Sequence, residues 1–192
     1  MSSVLSPLPN ERCVKGNVIA DYIKMIRANP ELPWAEHLLP EDLVVVQQMV
    51  VPLSWYPIQQ FQRLGLAVFK LVTKENNALV RAYGASVADR MNAENPGMVA
   101  KGRPQVTLSR YIEIQKRLYS FKAQETVEIG PGRLLFLIHS NPEEVGIPVY
   151  IEQISGTVER LIALSGGRNI QLKLLEAVWK GAAHNRIEVQ WE

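Results

Sequence analysis

Few residues in this chain could do chemistry, and they are spread widely. His37, His139 and His184 are the only imidazoles in 192 residues, and Cys13 is the only thiol. A metal centre needs several convergent histidine, cysteine or carboxylate donors. The three histidines fall in three different expected elements, so no metal site is expected. One imidazole suffices to hold a haem iron. His37, within Trp34-Ala35-Glu36-His37 and between two prolines, is the best single haem-ligand candidate, and a capping or surface histidine is the simpler account of it. Ser109, Ser155 and Ser165 have no neighbouring base, and no strand–Gly-x-Ser-x-Gly–helix elbow is present. Gly130-Pro131-Gly132 joins two expected strands and so reads as a turn, not as a phosphate cradle opening a helix. Ser165-Gly166-Gly167-Arg168 closes a helix, where the dipole disfavours anions. No catalytic constellation emerges, so the expectation is a non-enzyme with no cofactor. Trp55 and Tyr56, at the start of one helix, and Tyr83 and Gly84, in the next, are the residues expected to line a cavity between helices and sheet or to anchor an interface.

Around these residues the chain has ordinary globular composition. Hydrophobic residues make up 47% and charged residues 21%. With 21 basic and 19 acidic side chains the net charge is +2, which gives no electrostatic reason to expect nucleic acid. A lone cysteine permits no intrachain disulfide. The most apolar run, Leu43–Leu53, is broken by Gln47, Gln48 and Pro52 and falls short of the roughly 20 residues that span a bilayer. Met1–Arg12 lacks the apolar core of a signal peptide. A cytoplasmic protein without a membrane span is expected.

The elements that must position the candidates follow from hydrophobic period. Residues 1–13 are expected to be a flexible tail and 14–192 a single α+β domain. Up to residue 120 the pattern is helical. Ile19, Tyr22, Ile23 and Ile26 share one stripe, and Phe61, Leu64, Val68 and Leu71 another. Pro40-Glu41-Asp42 opens a helix with acidic side chains at its positive end. Ser54 is the expected N-cap of the next helix, with Pro57 in its first turn. Gly84 sits inside a helix at a cost of about 0.5–1 kcal/mol relative to alanine, which implies close approach of another backbone. From residue 121 the period shifts toward two. Gln124–Ile129 and Arg133–His139 form one hairpin, a helix near Pro148–Leu164 ends at Gly166-Gly167, and two further strands close the chain. Trp179 and Trp191 are placed on adjacent strands of that last hairpin. The expected architecture is a layer of about five helices packed on a four-stranded antiparallel sheet of ββαββ order.

Val14-Lys15-Gly16, Pro40-Glu41-Asp42-Leu43, Ser54-Trp55-Tyr56-Pro57, Arg81-Ala82-Tyr83-Gly84, Gly130-Pro131-Gly132-Arg133, Gly166-Gly167 and Gln190-Trp191 occur in order along the chain. This set resembles a myxobacterial paralogous domain of uncharacterised function. That domain is similar in layout to four-vinyl-reductase-type domains, and more distantly to haem–nitric-oxide-binding domains and Bet3-like subunits of vesicle-tethering complexes. The resemblance implies a bacterial domain with helices on a small antiparallel sheet, often dimeric, that senses or scaffolds. Two departures stop any residue role from being carried over. Val178–Ile187 contains none of the cysteines typical of the last hairpin in four-vinyl-reductase-type domains. The Tyr-x-Ser-x-Arg haem-contact motif is also missing; Ser109-Arg110-Tyr111 holds related residue types in another order.

The leading functional expectation is a non-enzymatic regulatory or scaffold domain that binds another protein and forms a homodimer, since the apolar stretch Val44–Leu53 need not be fully hidden in one chain. The alternative is a small-molecule or haem-binding sensor with an apolar ligand in a pocket between helices and sheet.

Overall fold

The computed structural model describes residue 6 and residues 11–192. Among these, six α-helices and six strands occur, in the order β1 (Cys13–Lys15), α1 (Gly16–Arg27), α2 (Pro40–Gln47), β2 (Trp55–Pro57), α3 (Ile58–Leu71), α4 (Asn77–Glu94), α5 (Pro104–Leu118), β3 (Gln124–Gly130), β4 (Arg133–Ile138), α6 (Ile147–Leu164), β5 (Gln171–Glu176) and β6 (Asn185–Gln190). Two compact units divide the chain. The first holds residues 1–77, 118–121 and 144–150, and the second 78–117, 122–143 and 151–192.

In the first unit α1 buries the expected stripe Ile19, Tyr22, Ile23 and Ile26 and packs on α3. Tyr22 meets Phe61 at 5.4 Å between ring centroids. Gly65 makes room for that ring, since a Cβ there would lie 3.0 Å from it. The expectation at Ser54 is corrected. Residues 55–57 form β2, paired antiparallel with β1, and α3 starts only at Ile58. Ser54 is buried, and its carbonyl together with that of Pro52 accepts from the Gly16 and Asn17 amides. The loop thereby satisfies N–H groups that the start of α1 leaves without helical partners. The expected tail, residues 1–13, lies mainly outside the described residues, and its last two are not a tail: Cys13 is 3% exposed in β1, and Arg12 is ion-paired with Glu144 at 2.9 Å.

Pro40 does open α2, and Asp42 caps it by accepting from the Leu39 amide at 3.1 Å. This carboxylate is 0% exposed. Arg63 donates to it from two nitrogens, each at 2.6 Å, and Gln60 from 3.2 Å. The hydrogen bond to Asp42 raises the Arg63 pKa against the opposing effect of burial. After α2, Met49 is 87% and Leu53 74% exposed, so the apolar stretch remains open in this chain.

The second unit carries a four-stranded antiparallel sheet in the order β3-β4-β6-β5. One face buries Leu134, Phe136, Ile138, Ile187 and Val189. Alternation along β4 and β6 produces that face, because successive side chains of a strand point to opposite sides. Tyr111 of α5, 1% exposed, lies 6.4 Å from Phe136. Helix α6 buries Ile151, Ile154, Val158, Leu161 and Ile162, and Gly166 follows it with φ +98, in the left-handed region that suits a helix end. The expected placement of Trp179 and Trp191 on adjacent strands is corrected. Trp179 is 40% exposed on a 3-10 turn, Val178–Lys180, and Trp191 lies beyond the end of β6.

Helices α4 and α6 touch through backbone. A Cβ on Gly84 would come within 1.9 Å of the Gln153 carbonyl oxygen, and one on Gly156 within 2.0 Å of the Arg81 carbonyl oxygen. The Thr157 hydroxyl lies 2.9 Å from the Gly84 carbonyl. Arg81 spans Glu152 and Glu159 at 3.3 and 3.0 Å on the same seam, and Arg160 meets Asp89 at 2.8 Å.

These contacts can be tested by substitution. Gly156→Ala should force the helices apart and cost about 2–3 kcal/mol, at the upper end of ordinary overpacking penalties, read as a lower urea midpoint. Asp42→Ala should cost about 3 kcal/mol by leaving Arg63 and Gln60 without their shared acceptor; the same titration reads it.

Candidate functional site

Trp55 and Tyr56 lie half-buried on β2 in the first unit. Lys15 stands 3.8 Å over the Trp55 ring, and the Tyr56 hydroxyl accepts from the Val51 amide at 3.1 Å. Tyr83 and Gly84 belong to the second unit, where Tyr83 is half-buried and Gly84 is the backbone contact with α6. These two pairs are thus held by local packing, each within its own unit.

A polar and aromatic cluster in the first unit escaped sequence reading. Glu144, whose side chain is 4% exposed, pairs with Arg12 and accepts from Gln62 at 2.7 Å. Burial pulls the Arg12 pKa down, and Glu144 and then Tyr150 oppose it. The guanidinium also lies 3.7 Å above the Phe121 ring. The hydroxyls of Tyr119 and Tyr150 are 3.0 Å apart, and Phe61 meets Tyr150 edge to face at 5.7 Å. Its members come from four separated stretches of sequence, which no local periodicity could associate.

In the second unit an open cleft of about 450 Å³ is lined by Gly102, Pro104, Gly132, Gly166, Gly167 and Trp191 among others. Two of its backbone donors are already used: the Gly102 amide donates to the Ser165 carbonyl and the Gly167 amide to the Ile162 carbonyl.

The histidines are divided. His37 is half-buried at the end of the 3-10 turn Trp34–Glu36, and its side chain has no hydrogen bond among the described residues. The turn is fixed on the buried Trp34, whose indole N–H donates to the Asn29 carbonyl at 2.7 Å, and by buried Leu38. His139 and His184 instead come together, with ring centroids 4.9 Å apart. His139 Nε2 is 2.8 Å from the Glu125 carboxylate, which Lys122 also holds at 2.5 Å. Lys122 does most to depress the Glu125 pKa; burial opposes it, and His139 adds a further, smaller depression. Among the described residues, no group of three or more histidine, cysteine or carboxylate side chains could hold a metal. No helix among them is long and apolar enough to cross a membrane.

With this geometry in hand, comparison with solved structures defines a fold: this chain has the fold of H-NOX domains. A structure of a single-residue mutant of T. Tengcongensis H-NOX matches with a TM-score of 0.61 and 15% identity, covering 93% of this chain and 97% of that one. An oxygen-binding H-NOX domain related to soluble guanylate cyclases, in its oxygen complex, matches with a TM-score of 0.60 and 16% identity, covering 93% and 95%. A third match, at a TM-score of 0.61, 15% identity and coverage of 93% and 95%, comes from work on haem distortion in the H-NOX family. No protein-family model and no curated protein matches. The expected likeness to haem–nitric-oxide-binding domains is therefore met at the level of fold, and the other resemblances rest on sequence motifs alone.

This corrects the leading functional expectation. The structures that share this fold over nearly the whole chain include an oxygen-binding H-NOX domain and one from work on haem distortion in that family, so these neighbours favour the alternative expectation, a haem-binding sensor, over the scaffold acting through protein contact. Haem iron needs one axial protein donor. His37 fits in donor chemistry, being an imidazole on a fixed turn with no side-chain hydrogen bond among the described residues, whereas His139 has one nitrogen engaged by Glu125.

A depressed carboxyl pKa contributes stability above its unfolded value and loses it as pH falls through the folded value. Glu125→Gln should therefore lower the urea midpoint at neutral pH. The difference from the unsubstituted protein should shrink once pH drops below about 4.5, the ordinary glutamate value, and disappear in stronger acid.

Proposed function

We propose that this chain is a non-catalytic sensor domain that binds a small ligand, with haem as the first ligand class and His37 as the candidate axial donor. The observation that carries this reading is the H-NOX fold across 93% of the chain. When bound, haem would supply an iron with an open coordination position for a diatomic gas. The chain's own contribution would be the placement of His37. Trp34 and Leu38 anchor the turn in the core, so the imidazole is carried on a segment that cannot swing freely.

An apolar organic ligand is the second form of the same reading. It draws on the absence of the Tyr-x-Ser-x-Arg motif, which leaves the haem-contact residues of the resembled family without counterparts here.

Visible absorption of the protein purified without added cofactor, and after titration with haemin, separates the two. Haem binding gives a Soret band that His37→Ala abolishes or shifts. A colourless protein that takes up no haemin removes haem, and mass spectrometry of an organic extract then reads the apolar ligand. Absence of both overturns the sensor reading.

A further inference from the structure

We infer that the 48–53 loop of the first unit is a membrane-contact loop, which lays its apolar tip into the surface of an anionic lipid bilayer. The inference stands apart from the sensor reading and does not use His37.

Met49, Val51, Pro52 and Leu53 all face solvent on this loop. Apolar side chains exposed singly are ordinary, whereas a contiguous exposed run marks a contact surface. Backbone bonds hold the run in this pose. The Gly16 and Asn17 amides donate to the Ser54 and Pro52 carbonyls at 2.9 and 3.1 Å, and the Ser54 amide donates to the Val51 carbonyl at 3.1 Å. Lys15 Nζ donates to the Leu53 carbonyl at 2.7 Å, and Arg27 donates to the carbonyls of Val46 and Gln48. Gly16 lets the loop sit close, because a Cβ there would lie 2.1 Å from the Val51 carbonyl oxygen. The carbonyls of Gln48, Val51, Pro52 and Leu53 are thus answered by protein donors while the side chains turn outward. An unpaired polar group costs heavily in an apolar medium. With these four satisfied, the tip can leave water without stranding them.

Charge selects the occupant. Arg27 grips the Gln48 end of the loop and Lys15 the Leu53 end, one cation at each. Both are bonded to carbonyls, and neither forms an ion pair among the described residues. Cations beside an apolar tip suit the phosphates and carboxylates of anionic headgroups. Trp55 and Tyr56 follow directly, half-buried, with Lys15 over the indole ring. Amphipathic rings of this kind settle at headgroup level. A tip that stands clear of the body also needs an occupant that closes around it, as acyl chains do. The contact is peripheral: no helix among the described residues is long and apolar enough to cross a membrane, and a short loop reaches only the boundary between headgroups and acyl chains.

Co-sedimentation of the full chain with vesicles of phosphatidylcholine and phosphatidylserine in equal amounts, and with phosphatidylcholine alone, tests the loop. The expected result is saturable binding to the mixed vesicles, at least about tenfold weaker on the neutral ones and weakened by added salt. Met49→Ser combined with Leu53→Ser should weaken binding at least about tenfold. Both sites are exposed, so this double variant should keep the near-ultraviolet circular dichroism of the parent. Lys15→Gln and Arg27→Gln should each weaken binding about fivefold, and Lys15→Arg and Arg27→Lys should retain it. Trp179→Ala, at an exposed aromatic of the second unit, should leave binding unchanged. An environment-sensitive fluorophore on Met49→Cys should shift to the blue on mixed vesicles; the buried Cys13 thiol is shielded from the label. No binding, equal binding to neutral vesicles, or binding that survives the double substitution overturns the inference. So does a protein complex or self-association that the double substitution breaks in a chain that ignores vesicles, since the loop then serves a protein. Haemin uptake by the double variant, equal to the parent's, keeps this outcome distinct from the sensor test.

Discussion

Close backbone approach of two helices sets the geometry of the second unit. Gly84 on α4 faces the Gln153 carbonyl of α6, and Gly156 on α6 faces the Arg81 carbonyl of α4. Only a missing Cβ on both sides permits this, so the helix axes are held closer than ordinary side chains would allow. The charged partners are consequences of that seam. Arg81 can reach both Glu152 and Glu159, and Arg160 can reach Asp89, because the helices are already in contact. Partly exposed ion pairs of this kind add little by themselves; van der Waals contact and the Thr157 hydrogen bond hold the approach. With α6 fixed, its buried stripe from Ile151 to Ile162 has only one orientation available.

The first unit solves a different problem, that of charged groups without water. Asp42 and Glu144 are both almost fully buried carboxylates, and each is answered by an arginine and a glutamine. Buried pairs of this sort recover at best the cost of desolvation, so their value lies in specifying one arrangement rather than in net stability. Asp42 fixes the start of α2 to α3, and Glu144 fixes the segment before α6 to Arg12. The backbone carbonyls of the 52–54 loop serve α1 in the same spirit, by closing its open N–H groups.

Much of the fold is legible in the sequence. The helical stripe of α1, the start of α2 at Pro40, the strand alternation of β6 and the glycine after α6 each follow from local chemistry, and Gly84 implies its own close contact. Ser54 and Trp55 read as a helix start because an aromatic pair behind a serine and ahead of a proline satisfies helix-start chemistry as well as it satisfies a short strand; pairing with Cys13–Lys15 decides the matter. Trp179 reads as a strand residue until Gly181, at φ +88, turns the chain.

His139 and His184 show where local information ends. Each sits in a segment whose secondary structure is readable, yet nothing nearby in sequence states that they face each other. The same is true of Arg12, Glu144, Tyr119 and Tyr150, and of the two glycines on α4 and α6. By itself the sequence determined which residues turn inward along each element, because period and turn chemistry act over a few residues. The tertiary structure alone decided which of those residues meet, because register between distant strands and helices is set by the packing of all of them at once.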